Sequence, residues 1–231
     1  RLHYLMTVTY FVAALCWLGL VLYIVDREAF VYYHPLFLLT LMLDQVLIYR
    51  FVHTIAGTEE QKRFSPLHYI IPAAITFLTV VFVFITPFAA QTEAIYGHAD
   101  SYTENSFKYV YLSTNIFFIV YNIFYPVLGL IMIYRYRREV VDYSAEVQRT
   151  ALGWLSAMLI LTNITVPVPL AGRMMGVNAL TELHFNGIGA SRTFVAYVSI
   201  CVNLITDDYE VIKLETEEGE GKSPTTLDRE R

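Results

Sequence analysis

Few residues in this 231-residue chain could do chemistry away from water, and Asp44 stands out by its surroundings. It interrupts the apolar run Phe30–Tyr49 (FVYYHPLFLLTLMLDQVLIY), with Gln45 beside it. An ionised carboxylate is costly in such text, so it faces other helices rather than lipid. Two roles follow. Asp44 serves as a ligand- or proton-coupled switch, or it makes an interhelical hydrogen bond that fixes packing and is worth roughly 0.6 kcal/mol. Asn115, Asn122, Asn163 and Asn203 lie in other apolar runs and can supply partners. His34 falls toward one end of the Asp44 run. Arg192 has no acid near it in sequence and takes a carboxylate, a lipid phosphate or an anionic ligand, unless it snorkels to an interface. The candidate ligand or switch residues are thus Asp44, Gln45, His34, Asn122, Asn163 and Arg192.

Other chemistries find no residues to carry them. The last apolar run, 187–206, has no lysine for a retinal Schiff base. No H-E-x-x-H pair occurs for a metalloprotease, and there is no Gly-rich phosphate loop or nucleophile elbow. Glu59-Glu60 with Arg63 places its arginine one position too early for an intramembrane prenyl protease. Two cysteines, Cys16 and Cys201, both in apolar text, exclude a disulfide scaffold or a cysteine zinc site. A haem or metal between His53 and His68 is the one cofactor reading left, and the dispersed histidines argue against it. The expectation is a chain without catalysis, metal or cofactor.

The elements that must position these residues are long and apolar. The chain is 56% hydrophobic with a mean hydropathy of +0.47, above the roughly 45–50% of soluble domains. Six runs stand out: Tyr4–Val25, Phe30–Tyr49, Leu67–Ala90, Tyr109–Tyr134, Ala151–Leu170 and Gly187–Thr206. Each is close to the ~20 residues a helix needs to cross a hydrocarbon core. Backbone amides find no water there, so each span must be helical. Tyr4, Tyr32, Tyr33, Tyr49, Tyr69, Tyr109, Tyr111, Tyr134 and Trp154 crowd the span ends, where rings favour the headgroup level. The predicted fold is an all-α, polytopic integral membrane helical bundle with six spans.

Charge gives the orientation. Residues 207–231 hold 9 of the 21 acids, so the formal charge of −5 belongs to this tail alone. With Arg135, Arg137, Arg138 and Arg149 inside, twelve bases fall on the cytoplasmic side and four (Arg27, Lys108, Arg173 and Arg192) outside. Both ends of the chain are then cytoplasmic. Asp26–Ala29 is a tight outer turn. The outer segment 91–107 reads as a solvated acidic loop or a ligand lid, and 171–186 as a short helix on the membrane surface. Pro66 opens the third helix, and Ser144 caps the fifth, which would start within the cytoplasm and carry Trp154 into the membrane. Val166-Pro167-Val168-Pro169 ends or kinks that helix. Two domains result: a transmembrane sensor, 1–206, and an acidic cytoplasmic linker, 207–231, toward an output domain. The start at Arg1 predicts a fragment, and one further helix ahead of it would give the whole protein seven spans. Residues 1–25 lack a small-residue cleavage site and read as a true span.

Two stretches carry a likeness. Tyr143-Ser144-Ala145-Glu146 followed by Leu152-Gly153-Trp154-Leu155 resembles a Y-S-x-E…L-x-W-L pattern of membrane-anchored bacterial regulators of the AraC type. Pro35-Leu36-Phe37, Tyr49-Arg50-Phe51 and His68-Tyr69-Ile70-Ile71-Pro72 are similar to text from the same membrane region. The resemblance runs from Pro35 to Leu155. It implies a multi-helix sensory domain in the bacterial inner membrane, joined by a linker to a cytoplasmic helix-turn-helix output. It further implies a homodimer and DNA contact only through that output, which these residues do not include. The partners expected of the chain itself are membrane lipid and a small-molecule or envelope signal. The alternative function is a small transporter or channel subunit with Asp44 as the coupling residue. A third reading is a structural anchor.

Overall fold

The computed structural model describes residues 2–56, 64–96, 106–141 and 152–165, together with Val198 and Val202. Every regular element among them is helical. They are α1 (Leu2–Val25), α2 (Arg27–Ala56), α3 (Leu67–Ile85), α4 (Phe88–Tyr96), α5 (Ser106–Val141) and α6 (Gly153–Thr165). Four of these, α1, α2, α3 and α5, are long and apolar enough to cross a membrane. Of the predicted fifth and sixth spans, the described residues hold α6 and the two helical positions Val198 and Val202. The predicted surface helix 171–186 and linker 207–231 lie outside them.

The apolar surface is turned outward. Along α3, Ile70, Phe77, Leu78, Phe84 and Ile85 are exposed, with Phe84 at 85%. Water would penalise such a surface at roughly 25 cal/mol for each Å², whereas a hydrocarbon solvent does not. What is buried gathers on α2. Within its apolar stretch 56% is buried, against 22% in α1 and 11% in α3. The second helix is therefore the hub, and α1, α3, α4 and α5 pack around it.

Local chemistry sets the joints. Asp26 ends α1, its amide donating to the Leu22 carbonyl (2.9 Å), and its Oδ1 accepts the Ala29 amide (3.0 Å) at the start of α2. One residue thus closes one helix and caps the next. The two antiparallel helices pack tightly, because Gly19 leaves room for the Phe37 ring where a Cβ would overlap it. The Tyr33 hydroxyl donates to the Leu15 carbonyl at 2.8 Å.

The third span differs from its predicted limits, Leu67–Ala90. Pro87 supplies no amide and drives Thr86 into extended backbone (φ −103°, ψ 132°), so α3 stops at Ile85. The chain restarts as α4, which makes residues 91–96 of the predicted outer loop helical. The Gln91 amide donates to the carbonyls of Val83 (2.8 Å) and Thr86 (2.7 Å), satisfying helix-end acceptors of α3.

The fifth span also departs from expectation. Leu152 has φ 45°, a conformation a branched residue rarely adopts, so the helix that carries Trp154 starts only after it. Instead, the Leu152 carbonyl accepts the Ser156 amide (3.2 Å) and α6 begins at Gly153. Ser144 and the Val166–Pro169 kink lie outside the described residues.

Candidate functional site

Helices α2 and α5 run parallel and keep one register. Three pairs mark it. The His34 and Tyr111 rings are 5.3 Å apart, those of Tyr49 and Tyr125 are 5.5 Å apart, and a Cβ on Gly129 would stand 3.7 Å from Val52 Cγ2. Gln45 and Asn122 each lie seven residues before Val52 and Gly129, which sets them at one depth. Both are buried, Asn122 completely. The Asn122 Nδ2 donates to the Phe118 carbonyl at 2.9 Å, and its Oδ1 has no partner.

Unsatisfied polar atoms concentrate on this seam. Five buried side-chain atoms among the described residues lack a hydrogen-bond partner, and three of them are His34 Nδ1, Tyr121 Oη and Asn122 Oδ1. Each such group costs about 1–3 kcal/mol, so among the described residues the seam carries most of this cost. Asp44, one residue from Gln45, is only partly buried and lies within electrostatic reach of Cys16 on α1.

His34 belongs to the end of the bundle covered by α4. It is 3% exposed, against Phe30 (5.9 Å between rings) and Tyr111. Around it, Val31, Ala94, Ile95 and Phe107 form an apolar core. Tyr96 of α4 stacks on Tyr23 at 5.0 Å and donates to its carbonyl, while the Arg27 guanidinium stands 5.2 Å from the Tyr96 ring.

At the opposite end, α2, α3 and α5 bring together a cluster that the sequence had split among runs. Tyr49, His53, Phe64, His68, Tyr69 and Tyr125 surround one another, with Phe64 4.7 Å from His68 and 5.6 Å from His53. His68 Nδ1 and the Tyr125 hydroxyl are 2.9 Å apart, and Arg50 donates to the Tyr69 hydroxyl at 3.0 Å. Phe64 fills the space between the histidines. No group of three or more metal-ligating side chains occurs among the described residues.

The four predicted site residues whose side chains are described do not gather at one point. Gln45 and Asn122 share a depth, with Asp44 beside Gln45 but turned toward α1. His34 stands eleven residues away on α2, about 16 Å along the axis. The backbone of Asn163 belongs to α6, one turn beyond Leu159, while its side chain and the whole of Arg192 lie outside the described residues. Sequence reasoning missed Tyr121, Tyr125 and their link to His68. Pro126 and the tyrosine spacing in α5 were the available signals. Comparison of the chain with family models, with curated proteins and with solved structures finds no match.

Proposed function

We propose that the chain is a membrane-embedded sensory domain whose repacking controls a cytoplasmic output, a DNA-binding transcription regulator of the kind its motifs resemble. The observation that carries this reading is the α2–α5 seam. Three of its buried polar atoms lack partners, so a second packing that satisfied them would recover part of that cost. A signal shifts such a pair only by binding the two packings with different affinity. The cap formed by α4 over His34 gives an outer cue a direct contact with the same seam.

In this reading the chain spans the bacterial inner membrane six times. The Arg50 end, with Arg135, Arg137 and Arg138 on α5, faces the cytoplasm, in line with the excess of bases there. The last span passes the change to the output, and the output pairs two bundles as a homodimer.

Spin labels on Thr54 and Arg138, both exposed near the Arg50 end of α2 and α5, test the proposal in nanodiscs. Two distance populations, redistributed by Asp44→Asn or Asn122→Leu, support a switch. One population that neither substitution moves overturns it. Asp44→Asn also separates the rivals: a carrier loses transport, a sensor changes its set point and an anchor is indifferent.

A further inference from the structure

Three spans carry prolines in their interiors, Pro35, Pro72 and Pro126, and two of them meet at the Arg50 end. A helix proline has no amide for the carbonyl four residues earlier. Pro72 therefore deprives the carbonyl of His68, and Pro126 that of Asn122. His68 is part of the polar cluster, and Asn122 lies one helical turn before its Tyr125. Asn122 Oδ1 adds a further acceptor, and the Tyr121 and Thr76 hydroxyls are buried without partners. Tyr121 stands 5.1 Å from the Tyr125 ring, and Tyr125 reaches His68 at 2.9 Å.

The balance of this set is informative. Three acceptors, one on a side chain and two on the backbone, belong to Asn122 and His68, which the His68–Tyr125 contact draws to one junction. Among the groups of this junction that carry hydrogen are the Gln45 amide, the hydroxyls of Tyr49, Tyr121 and Tyr125 and the rings of His53 and His68. Apolar matter would leave the acceptors bare. Water, with two hydrogens and two lone pairs, satisfies such a set at about three hydrogen bonds per molecule. Proline-broken helices within a bilayer are tolerated where neighbouring hydroxyls and water take up the freed carbonyls.

We infer that the junction of α2, α3 and α5 is a water-access path, open to solvent at the Arg50 end and reaching the depth of Gln45 and Asn122, with the Tyr125–His68 pair across it. Tyr49, Arg50 and His53 border it from α2, His68 and Tyr69 from α3, and Tyr121 and Tyr125 from α5. The path stops at the apolar layer of Leu38, Met42 and Phe118. Beyond that layer, His34 lies against the separate apolar core beneath α4. Among the described residues, water and exchangeable protons thus reach the middle of the bundle from the Arg50 end. The inference rests on the membrane placement of the bundle and deepens the role given to the seam, but it does not need two packings.

Radiolytic hydroxyl-radical footprinting of the full chain in nanodiscs tests it, because the label forms from water at the modified side chain. Rates are corrected for intrinsic reactivity. Tyr121 and Tyr125 are expected to label about tenfold faster than the equally buried Phe30 and Phe107, as ordered water demands. Equal rates in the two groups overturn the path. Tyr125→Phe keeps the ring but removes the hydroxyl that holds His68, and it should change labelling at Tyr121 at least about threefold, while exposed Tyr4 is unmoved. Fast labelling of Tyr121 that ignores this substitution overturns the route past Tyr125. Should the variant fail to fold, the wild-type comparison still decides. The spin-label distances are a separate readout, so a wet path with a single packing sinks the switch but not the path.

Discussion

At the scale of single residues, polar side chains in this bundle act mostly on the backbone next to them. Thr9, Thr54 and Thr79 return their hydroxyls to carbonyls four residues earlier, which costs lipid-facing helices nothing in exposed donors. Asp26 is the exception that organises a joint. Asp26→Ala should lower stability by about 1 kcal/mol, read as an earlier thermal transition in detergent, and Asp26→Asn should recover most of it. Gly19→Ala should cost about 1–3 kcal/mol because the new methyl overlaps the Phe37 ring, and Phe37→Leu should partly relieve the loss in the same assay. Asp44 was conspicuous in the sequence because a charge breaks an apolar run. Tyr121 and Tyr125 were not. In text with 18 tyrosines, a buried hydroxyl and an interfacial one look alike until the neighbouring helix is in place. Exposed Tyr4, Tyr32, Tyr109 and Tyr134 suit a headgroup belt, whereas Tyr49 and Tyr69 pack inward on Phe64.

At the scale of elements, hydropathy marked the cores of the helices better than their limits. The second helix extends to Arg27–Ala56, and the fourth apolar run lies within the longer Ser106–Val141. Polar residues such as Arg50, His53, Arg135 and Arg138 continue a helix past its apolar stretch, because a hydrogen-bonded turn is satisfied on either side of an interface. The break at Thr86–Pro87 was carried by one proline in a run that was otherwise uniform. Gln91 holds the two pieces together. Gln91→Leu should leave the Val83 and Thr86 carbonyls without their side-chain donor, at about 1–3 kcal/mol, and free α4 from the bundle. Hydrogen–deuterium exchange of residues 88–96 should then rise while α2 stays protected. Unchanged exchange would mean that the packing of Ala94 and Ile95 suffices. Pairwise register was beyond the sequence altogether, since an apolar helix with polar residues on several sides names no preferred neighbour.

At the scale of the whole molecule, the outward apolar surface predicts behaviour in solution. The chain should aggregate when detergent is withdrawn and stay monodisperse in nanodiscs, as light scattering would report. A protease site placed after residue 231 should be cut in inverted vesicles and spared in intact cells if the excess of bases sets the orientation. The layout around α2 has a bearing on assembly as well. With Asp26 as the sole non-helical residue between them, the first two helices cannot enter the bilayer one after the other with a free loop waiting outside. They must cross together as a hairpin, and the Asp26 carboxylate is carried through on its tip. Integration is therefore expected to fail for a nascent chain truncated after α1 and to succeed for one long enough that Ala56 has left the ribosome.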